Sequence, residues 1–225
     1  MTFIGAEECI RFGLRAGAVV FRNVHVNASG PIQRTEIVKE AAEVRARFSS
    51  ASAIRDDPMV SGFHSLLRRF GVNPKMDRPS LERLLTFAWR RGDLPIINNL
   101  VDAYNLVSIR SSCSLGAHDL DRISLPVMLR LLDGTELFTP LGSDQPIPSK
   151  AGEFGYVDVS NRLLCRLDIL QADFSKVTEA TTNALLIVEG TAAHAPRIIE
   201  QALKDAIQVV SHYCGGKAEV VSLPQ

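Results

Sequence analysis

The stretch PIINNLVDAYNLVSIRSS, Pro95 to Ser112, has apolar residues at helical spacing and an unusual polar complement in its first three turns: Asn98, Asn99, Asp102 and Asn105, with no Lys or Glu. On a helical wheel Asn98, Asp102 and Asn105 fall at i, i+4 and i+7 and form one stripe, while Ile97, Leu100, Val101, Tyr104 and Val107 cover most of the remaining circumference. A solvated face favours Lys, Glu, Gln or Arg, which keep their rotamer freedom in a helix. Asn and Asp compete with the backbone and cost a few tenths of a kcal/mol each. Short polar groups on a mostly buried helix therefore have fixed partners, either neighbouring loops and backbone groups or a pocket into which one end of the stripe opens. Directly downstream, SSCSLGAHDLDRI places Gly116, His118 and Asp119 in an expected loop, where the chain can approach a ligand closely.

Upstream of this segment the period is helical. RTEIVKEAAEVRARF buries Ile37, Ala41, Val44 and Phe48; PMVSGFHSLLRRFG repeats the pattern with Val60, Phe63, Leu67 and Phe70; Pro79 and Ser80 open a helix that buries Leu81, Leu84, Leu85 and Ala88. Before them, the β-branched run Ala18 to Val26 reads as a strand. Downstream the period moves towards two. LPVMLRLLDGTELFTP carries an Asp133-Gly134 hairpin signal, and FGYVDVSNRLLCRLDI repeats the arrangement around Ser160-Asn161. NALLIVEG reads as a buried strand, APRIIEQALKDAIQVVSHYCGG as an amphipathic helix, and KAEVVSL as a last strand. TPLGSDQPIPSKAGEFG is the most loop-like part, a candidate rim or lid. Helices early and strands late predict an α+β fold, a largely antiparallel, curled sheet core with helices packed outside.

Composition bounds the function. In 225 residues, 46% hydrophobic and 22% charged, Lys plus Arg equals Asp plus Glu at 25 each, so any hold on a polyanion must be a local patch. Cys9, Cys113, Cys165 and Cys214 lie far apart with no metal-ligand spacing, which predicts reduced thiols, no metal and no cofactor. The N-terminus MTFIGAEECIRFGLRAG has acids before any apolar run, unlike a signal peptide, and no run approaches the ~20 residues of a membrane span. A cytoplasmic protein with no membrane partner is expected. The sequence carries no signal for an oligomeric state.

The run LPIINNLVDAYNLVSIRSSCSLGAHDLDRI resembles the editing module of the phenylalanyl-tRNA synthetase beta subunit, the B-three/B-four domain. There a proline-isoleucine-asparagine-asparagine helix continues through valine-aspartate and a further asparagine into a leucine-histidine-alanine-phenylalanine-aspartate loop. The resemblance resumes in LLDGTEL and in SKVTEATTNALLIVEG, and FGVNPKMDRPSLERLL is similar to the entry helices of free-standing proteins built on this domain. It covers about residues 60 to 190, with residues 1–57 as a strand-helix extension of a single domain, 1–225.

The resemblance implies hydrolysis of the ester joining a wrongly attached amino acid to the terminal adenosine of tRNA, with the tRNA acceptor end or aminoacyl-tRNA as partner. It carries over to Asn105, the pocket asparagine, and Glu189, the pocket glutamate. The family's loop histidine falls on Gly116, and His118 stands where the family has phenylalanine, so His118 is a candidate recruited from the neighbouring position. An aminoacyl ester is already activated, so the chemistry needs a held water and oxyanion stabilisation, not a metal or a strong nucleophile. In that scheme Asn105 holds the carbonyl or the water, Asp102 orients it, and the Gly152 amide approaches the oxyanion. Glu189 or Glu153 anchors the α-ammonium. Thr178, Thr181 and Thr182 are candidates for the ribose hydroxyls, and Arg110, Arg166 and Lys176 for the tRNA phosphates. The alternative is a module on the same fold that binds tRNA or an amino acid without turnover.

Overall fold

The computed structural model describes residues 3–5 and 7–222. Met1, Thr2 and Ala6 of the N-terminal segment, and Leu223 of the expected last strand, lie outside the described residues. A short strand β1 (Phe3–Gly5) and a helical turn α1 (Glu7–Arg11) precede β2 (Leu14–Arg22), the β-branched run. That strand begins before the expected Ala18 and stops at Asn23, whose φ of 56° turns the chain. Val24 and Val26 remain buried beyond its end.

The helices follow in the expected order: α2 (Pro31–Arg47), an unanticipated short α3 (Ala51–Asp56), α4 (Pro58–Arg69), α5 (Ser80–Arg91) and α6 (Asn99–Ser111). Proline in the first turn of α2 and α4 costs no hydrogen bond, and the Asp57 carboxylate accepts the N–H groups of Met59 and Val60 to start α4. Their apolar stripes meet in one helical core, with Ile37, Phe63 and Leu85 against Leu106 and Ile109 of α6. The last of these helices starts later than Pro95: Asn98 is its N-cap, accepting the N–H of Val101, and Ile97 is exposed ahead of it.

The segment after α6 departs most from expectation. Ser114–Asp119, read as a loop, is a strand, β3. A 3-10 turn (Leu120–Arg122) leads to β4 (Val127–Leu131), β5 (Leu137–Phe138), β6 (Ile147–Pro148), β7 (Phe154–Val157), β8 (Leu163–Arg166), β9 (Leu170–Gln171), β10 (Asn183–Thr191), α7 (Pro196–Cys214) and β11 (Lys217–Ser222). Gly134 turns the chain with φ 93°, but no hairpin closes there: β4 pairs with β1 and β7, and β5 pairs with β6. The Glu136 carboxylate, held by Arg130 at 2.6 Å, accepts the N–H groups of Asp133 and Gly134 at 3.1 Å each, so the turn closes on a side chain. The second expected hairpin is present as β7 and β8, with Asn161 at φ 57°.

Two sheets form the core, in the orders β11-β2-β10-β3 and β1-β4-β7-β8-β9, and every pairing in them is antiparallel except β1 with β4. The fold is α+β. One face of the four-stranded sheet, with Val19, Phe21, Leu115, Leu186 and Val188, packs on α6 and α7. Its other face, with Ala18, Val20, Leu185 and Ile187, packs on Phe154, Tyr156 and Leu164 of the second sheet. No helix among the described residues is long and apolar enough to cross a membrane. β3 is an edge strand of the four-stranded sheet.

Candidate functional site

Register brings the first carboxylate into place. β10 pairs with β3 so that Glu189 stands opposite Ser114, Ile187 opposite Gly116 and Leu185 opposite His118. Alternation puts Ser114, Gly116 and His118 on the same side as Ile187 and Glu189, and these side chains point towards the second sheet. They line a cavity of about 500 Å³ together with Tyr156 and Cys165 of β7 and β8, the first half of α5, and Tyr104, Asn105 and Ser108 of α6. The exposed side chains of Arg83, Phe87 and Leu141 form its rim, and Leu141 comes from the segment read as a rim or lid.

A second carboxylate enters from the turn between β8 and β9. Asp168 takes φ 48°, a left-handed conformation that Asp tolerates better than most residues, and this aims its side chain back into the fold. Oδ1 accepts the Ser114 hydroxyl at 2.5 Å and the first backbone N–H of α5, Ser80, at 3.1 Å. Oδ2 is buried and has no hydrogen-bond partner among the described residues. Glu189, also buried, accepts the Tyr156 hydroxyl at Oε1. Burial, reinforced at Glu189 by the charge of Asp168, pushes both carboxyls above the ordinary carboxylate range. Tyr156 is held protonated by burial and by the Glu189 charge.

The polar stripe of α6 divides. Asn98 caps the helix, and Asn99 ties it to the chain before α2 and to the end of α7 by accepting the Asn27 N–H at 2.9 Å and donating to the His25 and Tyr213 carbonyls at 3.0 Å each. Asp102, fully buried, accepts the Ser29 hydroxyl at 2.5 Å and the Ile97 N–H at 3.0 Å. Only Asn105, one turn further on, reaches the cavity, and its amide has no side-chain hydrogen bond among the described residues. His118 lines the floor. Its Nδ1 lies 3.0 Å from Ser175 Oγ and 3.3 Å from the Gln171 amide, and burial pushes its pKa down to about 4, so the ring is neutral. Burial, then the charges of Glu189 and Asp168, push the Cys165 thiol far up, which leaves no thiolate nucleophile at neutral pH.

Other residues expected at the site are placed elsewhere. Asp102 lies outside the cavity lining for the reason just given. Gly152 sits in a turn at φ 85° and its N–H is taken by the Leu132 carbonyl at 2.9 Å, so it cannot serve an oxyanion in the cavity. Glu153 is buried against Arg166, with contacts of 2.9 and 3.1 Å, which places Glu189 in the cavity and Glu153 outside it. The three threonines close the segment before β10: Thr178 accepts from Ala180, Thr181 donates to Asp119 at 2.7 Å, and Thr182 faces Asp121 at 3.3 Å. The expected phosphate contacts are neutralised within the chain, Arg110 by Glu36 and Glu40, Arg166 by Glu153 and Asp77, and Lys176 by Asp173. Sequence reasoning missed Asp168, Ser114 and Tyr156. The one available signal was an acid inside the apolar run LLCRLDIL. Among the described residues no group of three or more His, Cys, Asp or Glu is arranged to hold a metal ion.

The model of the B3/4 domain matches residues 63–215, more than half of the chain and all of the cavity-lining residues. The chain belongs to the B3/4 domain family. Among solved structures this B3/4 domain is similar to an N-terminal fragment of the phenylalanyl-tRNA synthetase beta-subunit from Pyrococcus horikoshii, at 14% identity and a TM-score of 0.50, over 96% of this chain and 50% of that one. A likeness at that identity is one of fold, and the present chain spans half the length of that fragment. No curated protein matches the chain. The matched region omits β2, yet β2 lies between β11 and β10 inside the four-stranded sheet, so the N-terminal residues complete the sheet that carries Glu189.

Proposed function

We propose that this B3/4 domain, residues 1–225 acting as one unit in the cytoplasm, hydrolyses mischarged aminoacyl-tRNA at the ester on the 3′-terminal adenosine. The observation that carries the reading is the pair of buried carboxylates, Glu189 and Asp168, in one cavity with Asn105, with Asp168 Oδ2 lacking a hydrogen-bond partner among the described residues. The Asp168 charge disfavours ionisation of Glu189, burial raises both, and the Arg83 charge at the rim offsets this only at Asp168; a ligand ammonium placed between the two carboxyls favours the ionised form of both. An α-ammonium fits that demand, and about 500 Å³ is in the range of small-molecule sites, enough for an amino acid on a ribose. The name of the fold neighbour, a phenylalanyl-tRNA synthetase beta-subunit, supports tRNA as the carrier.

The chemistry follows from the groups available. With the ammonium between Glu189 and Asp168, the Asn105 amide donates to the ester carbonyl and stabilises the oxyanion that develops there. Ser108, one turn from Asn105 and also on the cavity wall, holds the attacking water. Water adds to the carbonyl carbon, the bond to the ribose oxygen breaks, that oxygen leaves with one of the water's protons, and the amino acid departs as its carboxylate with the other proton released to solvent. Cys165 stays a thiol and forms no covalent intermediate.

The test is release of labelled amino acid from a panel of mischarged tRNAs by the purified protein. Turnover that is lost in both Asn105→Ala and Asp168→Asn supports the reading, and turnover unchanged in both removes it. The empty position at Gly116 favours one other reading, a module that binds the charged end without hydrolysis. Stoichiometric binding of charged tRNA with no release across the panel would select it.

A further inference from the structure

The cavity shares its rim with a second hollow of about 460 Å³, lined by Arg78, Arg83, Thr86, Phe87, Arg90 and Arg91; Arg83 and Phe87 belong to both. On α5, Arg83, Phe87 and Arg90 stand at i, i+4 and i+7, so they form one exposed stripe that begins at the cavity mouth and runs about 10 Å along the helix. Among the described residues none of the four arginines has a carboxylate within ion-pair distance. The Arg83 guanidinium donates to Ser80 Oγ at 3.2 Å and to the Ile169 carbonyl at 2.7 Å, contacts that fix it at the mouth, where its charge also acts on Asp168. In a chain with as many acids as bases, four guanidinium groups around one hollow, none of them in an ion pair among the described residues, form a local patch of the kind a polyanion requires. The exposed ring of Phe87 between them adds a stacking platform, the second element of a single-strand nucleic-acid site.

We propose that this stripe docks the single-stranded 3′ end of an RNA, with phosphates on Arg78, Arg90 and Arg91, a base stacked on Phe87, and the terminal nucleotide passing Arg83 into the cavity. The identity of the strand rests on the aminoacyl-ester reading of the cavity. The charge, the ring and the shared rim are independent of it. Arginine suits the role because its planar fork pairs with phosphate oxygens and stacks on bases.

The experiment uses the full chain and an uncharged acceptor-stem microhelix, with or without a single-stranded 3′ overhang, and follows anisotropy as salt is raised. The variant Arg78→Gln/Arg90→Gln/Arg91→Gln is compared with Arg55→Gln/Arg197→Gln/Lys204→Gln, three exposed cations outside both hollows. We expect the wild type and the control to prefer the overhang. The stripe variant should lose at least about tenfold in affinity, with its log–log salt slope shallower by about two, the value for three single-strand phosphate contacts. Phe87→Ala should weaken overhang binding and leave the slope unchanged. An unchanged slope in the stripe variant, an equal loss in the control, equal binding of the blunt microhelix, or binding of polyglutamate in place of RNA would each overturn the proposal. Overhang binding without deacylation of any charged tRNA would sink the hydrolase reading and leave this one standing. Deacylation with an unchanged KM in the stripe variant would sink this one alone.

Discussion

Ser114 of β3 donates its hydroxyl to Asp168 at 2.5 Å while standing opposite Glu189 in the ladder, so the strand pairing that carries Glu189 also positions the hydroxyl that holds Asp168. The contact fixes Asp168 Oδ1 and leaves Oδ2 for a ligand. Asp168→Asn keeps the shape and an acceptor for Ser114 and Ser80 but removes the charge. Its expected effect is a rise in KM for the aminoacyl ester, or in Kd for an amino-acid amide, of about 10- to 100-fold, the worth of one charge-assisted hydrogen bond of roughly 1.5–3 kcal/mol. Denaturant unfolding should show stability equal to or above the wild type, because a buried unpaired charge is removed.

The same pair sets a pH dependence. Both carboxyls titrate above their unfolded values, so between the ordinary Glu value of 4.5 and the raised native value the folded state holds more protons than the unfolded one. Stability contributed by these groups is therefore present at low pH and falls as pH rises through that window. His118, pushed down to about 4 from 6.5, acts in the opposite sense below its ordinary value, and so does His194. Subtracting the stability curve of Glu189→Gln from that of the wild type cancels the histidines. The difference should slope downward with pH by no more than about 1.4 kcal/mol per pH unit for each carboxyl. A flat or rising difference would contradict the raised titration of Glu189. Binding of an amine ligand should strengthen with pH over the same range.

Gly116 stands in β3 opposite Ile187, and a Cβ built there meets no atom within 4 Å. Glycine inside a strand costs roughly 0.5–1 kcal/mol relative to Ala, so Gly116→Ala should be neutral or stabilising in thermal melts. Gly116→Leu should also fold, and its side chain should enter the cavity. Activity or amino-acid binding should fall at least about tenfold in Gly116→Leu and change little in Gly116→Ala. Loss of folding in both would show that the space beside Gly116 is not open.

Much of this arrangement is written in local periodicity. The stripes of α2, α4 and α5 bury the residues chosen by spacing, except Leu84, which is half-buried; α7, the buried run of β10 and the turn at Asn161 lie where the pattern puts them, and Asn105 and Glu189 line one cavity. What stayed hidden depends on partners remote in the chain. β3 looks like a loop because its one apolar face is only Leu115 and Ala117, and its strand conformation comes from pairing with β10, some 70 residues away. The Asp133-Gly134 turn carries a hairpin signal that loses to the Glu136 carboxylate and to the pairing of β4 with β7. Asp168 is an ordinary acid until Ser114, the start of α5 and β10 bury it. Whether a surface arginine is neutralised, as Arg110 is and Arg90 is not, depends on which helices lie side by side.

Asp102 separates a structural role from a catalytic one. It sits one turn from Asn105 and was expected to orient the substrate, yet its oxygens are occupied by Ser29 and by the Ile97 N–H, at the joint between α6 and the chain ahead of α2. Burial raises its pKa, and the Ser29 hydroxyl is the largest of the opposing influences. Asp102→Ala removes a buried acceptor, and with it two part-buried hydrogen bonds, and should destabilise the protein by about 1–3 kcal/mol. Asp102→Asn retains an acceptor and should cost less. At a temperature where both variants are fully folded, kcat/KM should lie within about threefold of the wild type for each. A drop of 100-fold in a folded Asp102→Asn would place this carboxylate in contact with the substrate and require the α6 end of the cavity to open towards Ser29, whereas a lowered melting temperature with intact turnover assigns it to the joint.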